Sequence, residues 1–158
     1  MRREPRAVII PANVHREITD EVTRKFPLET GGVLMGYSDS AGDVVVTHVI
    51  GPGPRAHHAL RNFEPDYEFQ EEEISKLFRD SGSVCEYLGD WHSHPRGPEA
   101  LSTTDKNALM NISRHYPARC SEPIMCIVSG DGDWRTSIWQ CEVSGRYRRL
   151  EMNNKTEK

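Results

Sequence analysis

Tyr87-Leu88-Gly89-Asp90-Trp91-His92-Ser93-His94-Pro95, followed by Ser102-Thr103-Thr104-Asp105, is the stretch around which the rest of the chain can be arranged. Its Tyr87, Leu88 and Trp91 predict a central strand from Cys85 to His94. Alternate residues of a strand point the same way, so His92 and His94 share one face with their roots roughly 6.5 to 7 Å apart. Two imidazoles so placed can lean onto one cation. Ser102-x-x-Asp105 has the form of a capping box opening a helix predicted to run to Tyr116. Asp105 on the first turn of that helix is the natural third ligand, because a hydrolytic zinc takes three protein ligands and keeps a fourth position for water.

The second informative stretch is Leu28-Glu29-Thr30-Gly31-Gly32-Val33-Leu34-Met35-Gly36-Tyr37. A carboxylate opening an apolar strand is costly to bury unless something engages it. The paired glycines allow another backbone to approach closely. Asp39-Ser40-Ala41-Gly42 is a turn, so the strand from Asp43 to Ile50 forms a hairpin with the one before it.

Working outward, Ala7–Ile10 reads as a short strand. Val14, Ile18, Val22 and Phe26, spaced by four, predict an amphipathic helix between Pro11 and Pro27. The stretch from Gly51 to Arg61 reads as a loop, and its His57-His58 pair is a poor metal site because adjacent residues of an extended chain face opposite ways. Asp66 caps a helix to Arg79. Pro123–Val128 and Arg135–Val143 are strands joined at Asp131-Gly132-Asp133, and Tyr147–Leu150 is a candidate edge strand. Residues 1–158 read as one domain, with 146–158 expected as a partly disordered tail.

The 158 residues carry 20 Lys and Arg against 24 Asp and Glu, a net charge of -4. That balance offers no general attraction to nucleic acid. No apolar run is long enough to span a bilayer, and the basic Met1–Arg6 is followed by too short an apolar segment for a secretory signal, so a cytoplasmic protein without a membrane partner is expected. Cys85, Cys120, Cys126 and Cys141 lack C-x-x-C spacing and read as reduced thiols, mostly of the core.

Glu29, His92-Ser93-His94-Pro95, the seven residues from Pro95 to Leu101, and Ser102-x-x-Asp105 together resemble the motif of the JAMM (MPN-type, JAB-type) metalloprotease family. Every position is filled, and the similarity runs from about Ala7 to Val143. The resemblance implies an α/β fold, the MPN (cytidine-deaminase-like) sandwich with a curved mixed sheet flanked by helices. It also implies Zn2+ on His92, His94 and Asp105, Glu29 as general base, and Ser102 as oxyanion donor, with Trp91 helping to keep the site dry. Gly51-Pro52-Gly53-Pro54-Arg55-Ala56 and Phe63-Glu64-Pro65-Asp66 look most like small prokaryotic members, and among these the deconjugating proteases of CBASS antiphage operons. The substrate so implied is a protein with a conjugated C-terminal tail, either ubiquitin-like or a cyclic-nucleotide synthase, its tail lying in a groove between the Phe63 and Pro95 loops by strand addition. A processing peptidase for sulfur-carrier ubiquitin-like proteins and an inactive MPN scaffold are the competing expectations.

Overall fold

Residues 7–154 are described in the computed structural model of the chain. Segments 1–6 and 155–158, on which the leader and tail expectations partly rest, lie outside them. In order the elements are β1 (Ala7–Ile9), α1 (Ala12–Lys25), β2 (Gly31–Ser38), β3 (Val44–Ile50), β4 (His57–His58), β5 (Phe63–Glu64) and α2 (Tyr67–Asp80). There follow β6 (Glu86–Pro95), α3 (Thr103–Arg114), a 3₁₀ turn (Tyr116–Ala118), β7 (Ile124–Gly130), β8 (Arg135–Cys141) and β9 (Tyr147–Asn153).

Local chemistry accounts for the boundaries. α1 buries Val14, Ile18 and Val22 along one stripe, and Arg24 and Lys25 in its last turn suit the negative end of the helix dipole. At the head of α2, the Asp66 carboxylate accepts the Phe69 N–H at 3.2 Å. The β2–β3 turn is closed by Asp39, whose Oδ1 accepts the N–H groups of Ala41 and Asp43 at 3.0 and 2.9 Å. His57-His58, expected as loop, pairs instead with Phe63–Glu64 in a two-stranded ribbon.

β6 is central, antiparallel to β2 and parallel to β7. The sheet runs β1-β3-β2-β6-β7-β8-β9, and β9 then pairs with β1 through Ala7 and Glu151, Val8 and Met152, and Ile9 and Asn153. The mixed sheet flanked by helices is as expected, and its strands close into a barrel; Tyr147–Asn153, expected as an edge strand over Tyr147–Leu150 within a partly disordered tail, pairs on both sides, with β8 and with β1. Twist accumulating over seven strands brings the ends together, and closure satisfies backbone groups that two free edges would leave unpaired.

α1 fills the concave side, where Val14, Ile18 and Val22 meet Ile10, Leu34, Trp91, Val128 and Ile138. On the convex side α3 packs Leu109 against Met125, Ile127 and Cys141. α2 packs Phe69, Ile74 and Leu77 against Val33, Met35 and Ile50. The convex face of β6 lies between those two contacts. On the opposite face, Gly32 leaves no room for a side chain: a Cβ would stand 1.9 Å from the Ile50 carbonyl oxygen and 2.6 Å from the Trp91 indole nitrogen. All four cysteines are free thiols, with Cys85, Cys126 and Cys141 buried.

Candidate metal centre and active site

β6 alternation sends Trp91 and Ser93 to one face and His92 and His94 to the other, and the register irregularity around Leu88 turns that residue to the Trp91 side. The two Nε2 atoms lie 2.9 Å apart. Asp105 reaches them from α3, its Oδ1 3.0 Å from His92 Nε2 and its Oδ2 3.2 Å from His94 Nε2. The side chains of His92, His94 and Asp105 are 17%, 11% and 7% exposed. Among the described residues, this is the one group of three or more such side chains that could hold a metal ion.

The donor chemistry fits a cation. His94 Nδ1 stands 2.8 Å from the Pro98 carbonyl, which can only accept, so Nδ1 carries hydrogen and the neutral ring turns an Nε2 lone pair toward Asp105. Lone pairs and a carboxylate this close repel unless a proton or metal ion lies among them. With one donor atom taken from each residue, the three donors lie within 4.8 Å of one another, close enough to share an ion.

Charge follows the same geometry. Burial alone would raise the Asp105 carboxyl, but when a proton rather than a metal ion lies among these groups, the hydrogen bonds it makes from His92 and His94, together with the Ser102 N–H, hold Asp105 far below the usual range. Burial would lower His94, yet Asp105 and the Pro98 carbonyl raise it on balance. Glu29 sits just ahead of β2, not within it, and is half-buried. Its carboxyl is raised by burial against the opposing pull of His92 and His94, with Asp105 adding to the rise. Glu29 is thus electrically part of the cluster although no hydrogen bond joins it.

Ser102 caps α3. Its Oγ accepts the Asp105 N–H at 3.1 Å, and its own N–H donates to Asp105 Oδ2 at 2.8 Å. The capping box therefore also fixes the Asp105 carboxylate, and the exposed Ser102 hydroxyl keeps its hydrogen for another acceptor.

Several contributors carried no sequence signal of their own. Ser93, fully buried, accepts the Thr30 N–H on its Oγ at 3.0 Å and donates its N–H to the Thr30 carbonyl at 2.9 Å, bracing the Glu29 segment against β6. The Glu99 carbonyl accepts from Ser137 Oγ at 2.7 Å and Trp139 Nε1 at 3.1 Å, which fixes the loop whose Pro98 carbonyl orients His94. Trp91, expected to keep the site dry, faces the opposite side, where its indole N–H donates to the Ile50 carbonyl at 3.2 Å.

Asp90, two residues before His92, takes a 2.8 Å hydrogen bond from the Tyr87 hydroxyl. Burial raises its carboxyl from 3.8 to about 6 against the pull of Tyr87 and His92. The folded chain therefore favours neutral Asp90, and that stability is complete below pH 3.8 and lost as pH rises through about 6. Asp90→Asn stays neutral and can still accept from Tyr87. With metal chelated, it is expected to raise Tm by about 6 to 12 °C at pH 8, for about 3 kcal/mol, and to leave it nearly unchanged at pH 4. Thermal melts at the two pH values check this; equal shifts at both would reject it.

A family model described as prokaryotic homologs of the JAB domain matches residues 11–142. The chain belongs to that family. The match runs from the start of α1 to the end of β8 and takes in every candidate site residue. The chain is 34% identical over 157 residues to the probable metalloprotease y4qB of Sinorhizobium fredii, covering 96% of each protein. It is 27% identical over 133 residues to the CD-NTase/cGAS isopeptidase of Escherichia coli, covering 84% of this chain and 75% of that protein. A protein of the same name from Enterobacter hormaechei is 22% identical over 125 residues, covering 78% of this chain and 68% of the relative. In fold, a solution structure of a Desulfitobacterium hafniense protein superposes with a TM-score of 0.72 at 20% identity, covering 96% of this chain and 94% of that one. Among the described residues, no helix of this JAB-family chain is long and apolar enough to cross a membrane.

Proposed function

We propose that the chain is a zinc-dependent isopeptidase that cuts the amide joining the C-terminal tail of a conjugated protein to an amine of its target. Relatives named as a metalloprotease and as CD-NTase/cGAS isopeptidases support peptide hydrolysis, and the latter support a cyclic-nucleotide synthase of the CD-NTase type as the tailed protein. The observation that carries the reading is the His92, His94 and Asp105 triangle with Glu29 coupled to it.

His92, His94 and Asp105 would hold the ion, and zinc suits two imidazoles and a carboxylate. Zinc bound there supplies a Lewis acid and brings the pKa of water to about 7. Glu29 takes the water's proton and passes it to the leaving amine. Its raised carboxyl suits that work, since a base is most effective when its pKa approaches the working pH. The Ser102 hydroxyl, anchored at the head of α3, donates to the oxyanion that develops on the scissile carbonyl. Ser93, through Thr30, and Pro98, through His94, keep these groups aligned.

The barrel has no free edge, so a tail adding as a strand would pair with the β4–β5 ribbon, whose Phe63 ring lies beside Gly31 and His92. The test uses two substrates with the zinc-loaded chain: a bacterial CD-NTase joined by its C-terminus to a lysine side chain, and a sulfur-carrier protein bearing a short C-terminal extension. Mass spectrometry is expected to find the lysine conjugate cut. Cleavage of the extension alone would reject deconjugation in favour of processing, and cleavage of neither would favour a scaffold.

A further inference from the structure

His57-His58 is a poor metal pair, yet His58 has a use. We infer that His58 is a positioning residue for Glu29, an inference that rests on the base role proposed above. His58 Nδ1 lies 2.8 Å from the Glu29 carbonyl oxygen. A carbonyl only accepts, so Nδ1 carries the hydrogen and donates. One residue on, the Ala59 carbonyl accepts the Glu29 N–H at 2.8 Å. His58 of the ribbon and Ala59 just beyond it thus engage both main-chain polar groups of Glu29.

This matters because Glu29 precedes β2 and lacks the ladder that holds Gly31 opposite His92. A catalytic side chain must be kept within about 0.5 Å of its working position, and a free backbone ahead of a strand does not do that. The ribbon is itself seated on the site. The His58 ring lies 5.4 Å from the Phe63 ring, tilted by 35°. Phe63 in turn rests on Gly31, where its Cε1 is 2.8 Å from the position a Cβ would take. Chain order Phe63 on Gly31, His58 on Phe63, and His58 on the Glu29 carbonyl makes one continuous support. A histidine serves because its flat ring can stack on Phe63 while presenting Nδ1–H edge-on; an aliphatic side chain would leave the carbonyl without that donor.

The test separates positioning from simple ribbon stability by which nitrogen is replaced. An Asn amide nitrogen stands near the Nδ1 position and a Gln amide nitrogen near Nε2. With the lysine conjugate of the bacterial CD-NTase as substrate, His58→Ala is expected to lower kcat by about 10- to 100-fold, with KM within about twofold and zinc content unchanged. His58→Asn should recover most of the loss and His58→Gln little of it. Equal recovery by both, a loss confined to KM, or loss of zinc would overturn the assignment.

A second arm does not depend on the substrate. In the zinc-free full chain labelled with 15N and 13C, His58 is expected to be the Nδ1–H tautomer, with a scalar coupling across the hydrogen bond to the Glu29 carbonyl carbon. An Nε2–H tautomer would overturn it. A fully active Glu29→Ala would remove the base role and leave this coupling in place, whereas an inactive Glu29→Ala beside a fully active His58→Ala would remove only the positioning role.

Discussion

Glu29→Ala is expected to keep its metal, bind the conjugate and cut it about 10² to 10⁴ times more slowly than the parent chain. The size follows from what the carboxylate does and does not touch. It is half-buried and couples electrically to His92, His94 and Asp105, but it takes no part in the contacts of 2.9 to 3.2 Å that join those three. Removing it therefore deletes the proton carrier and leaves the metal ligands together. Zinc content by elemental analysis should stay at about one per chain, and affinity for the conjugate, measured by fluorescence anisotropy, should be unchanged. Glu29→Gln keeps the shape without the charge and should be as slow as alanine, because the defect is in accepting a proton rather than in packing. A variant that binds and still turns over at the parental rate would remove Glu29 from the chemistry.

How much of this could be read from the residues alone differs between elements. The period-two placement of His92 and His94, the four-residue spacing in α1 and the capping box at Ser102 are local patterns, and the elements carrying them lie within a residue or two of where those patterns put them. Barrel closure was not legible, because it depends on β1 and β9 pairing from opposite ends of the chain, and neither three apolar residues nor the mixed run Tyr147–Asn153 advertises a second partner. The β4–β5 ribbon has strands of two residues, too short for any period to register. Trp91 was misassigned because its place in the motif says nothing of the face it occupies, whereas alternation from His92 does. Glu29 stands ahead of β2 rather than in it because its N–H goes to Ala59 instead of a ladder partner, a contact that no local pattern encodes.

The other large effect belongs to the ligand set itself. His92→Ala is expected to release the ion: zinc content falls from about one per chain to near zero, and conjugate cleavage falls below that of Glu29→Ala. Glu29→Ala retains the polarised water, while His92→Ala retains neither the water nor the charge that stabilises the oxyanion. Heat gives a readout free of turnover. An ion that binds only the folded chain stabilises it by about 2.7 kcal/mol at a hundred times Kd, which for a domain of this size is about 5 to 11 °C in Tm. The parent chain and Glu29→Ala should show that rise on adding zinc and lose it to a chelator, and His92→Ala should show neither. Without zinc, His92→Ala should melt only slightly below the zinc-free parent, because it loses the contact with Asp105 but leaves the core around Trp91 intact. A zinc-dependent rise of equal size in His92→Ala would put the ion on other atoms, and the ligand role of Asp105 would fall with it, since its oxygens face those same imidazoles.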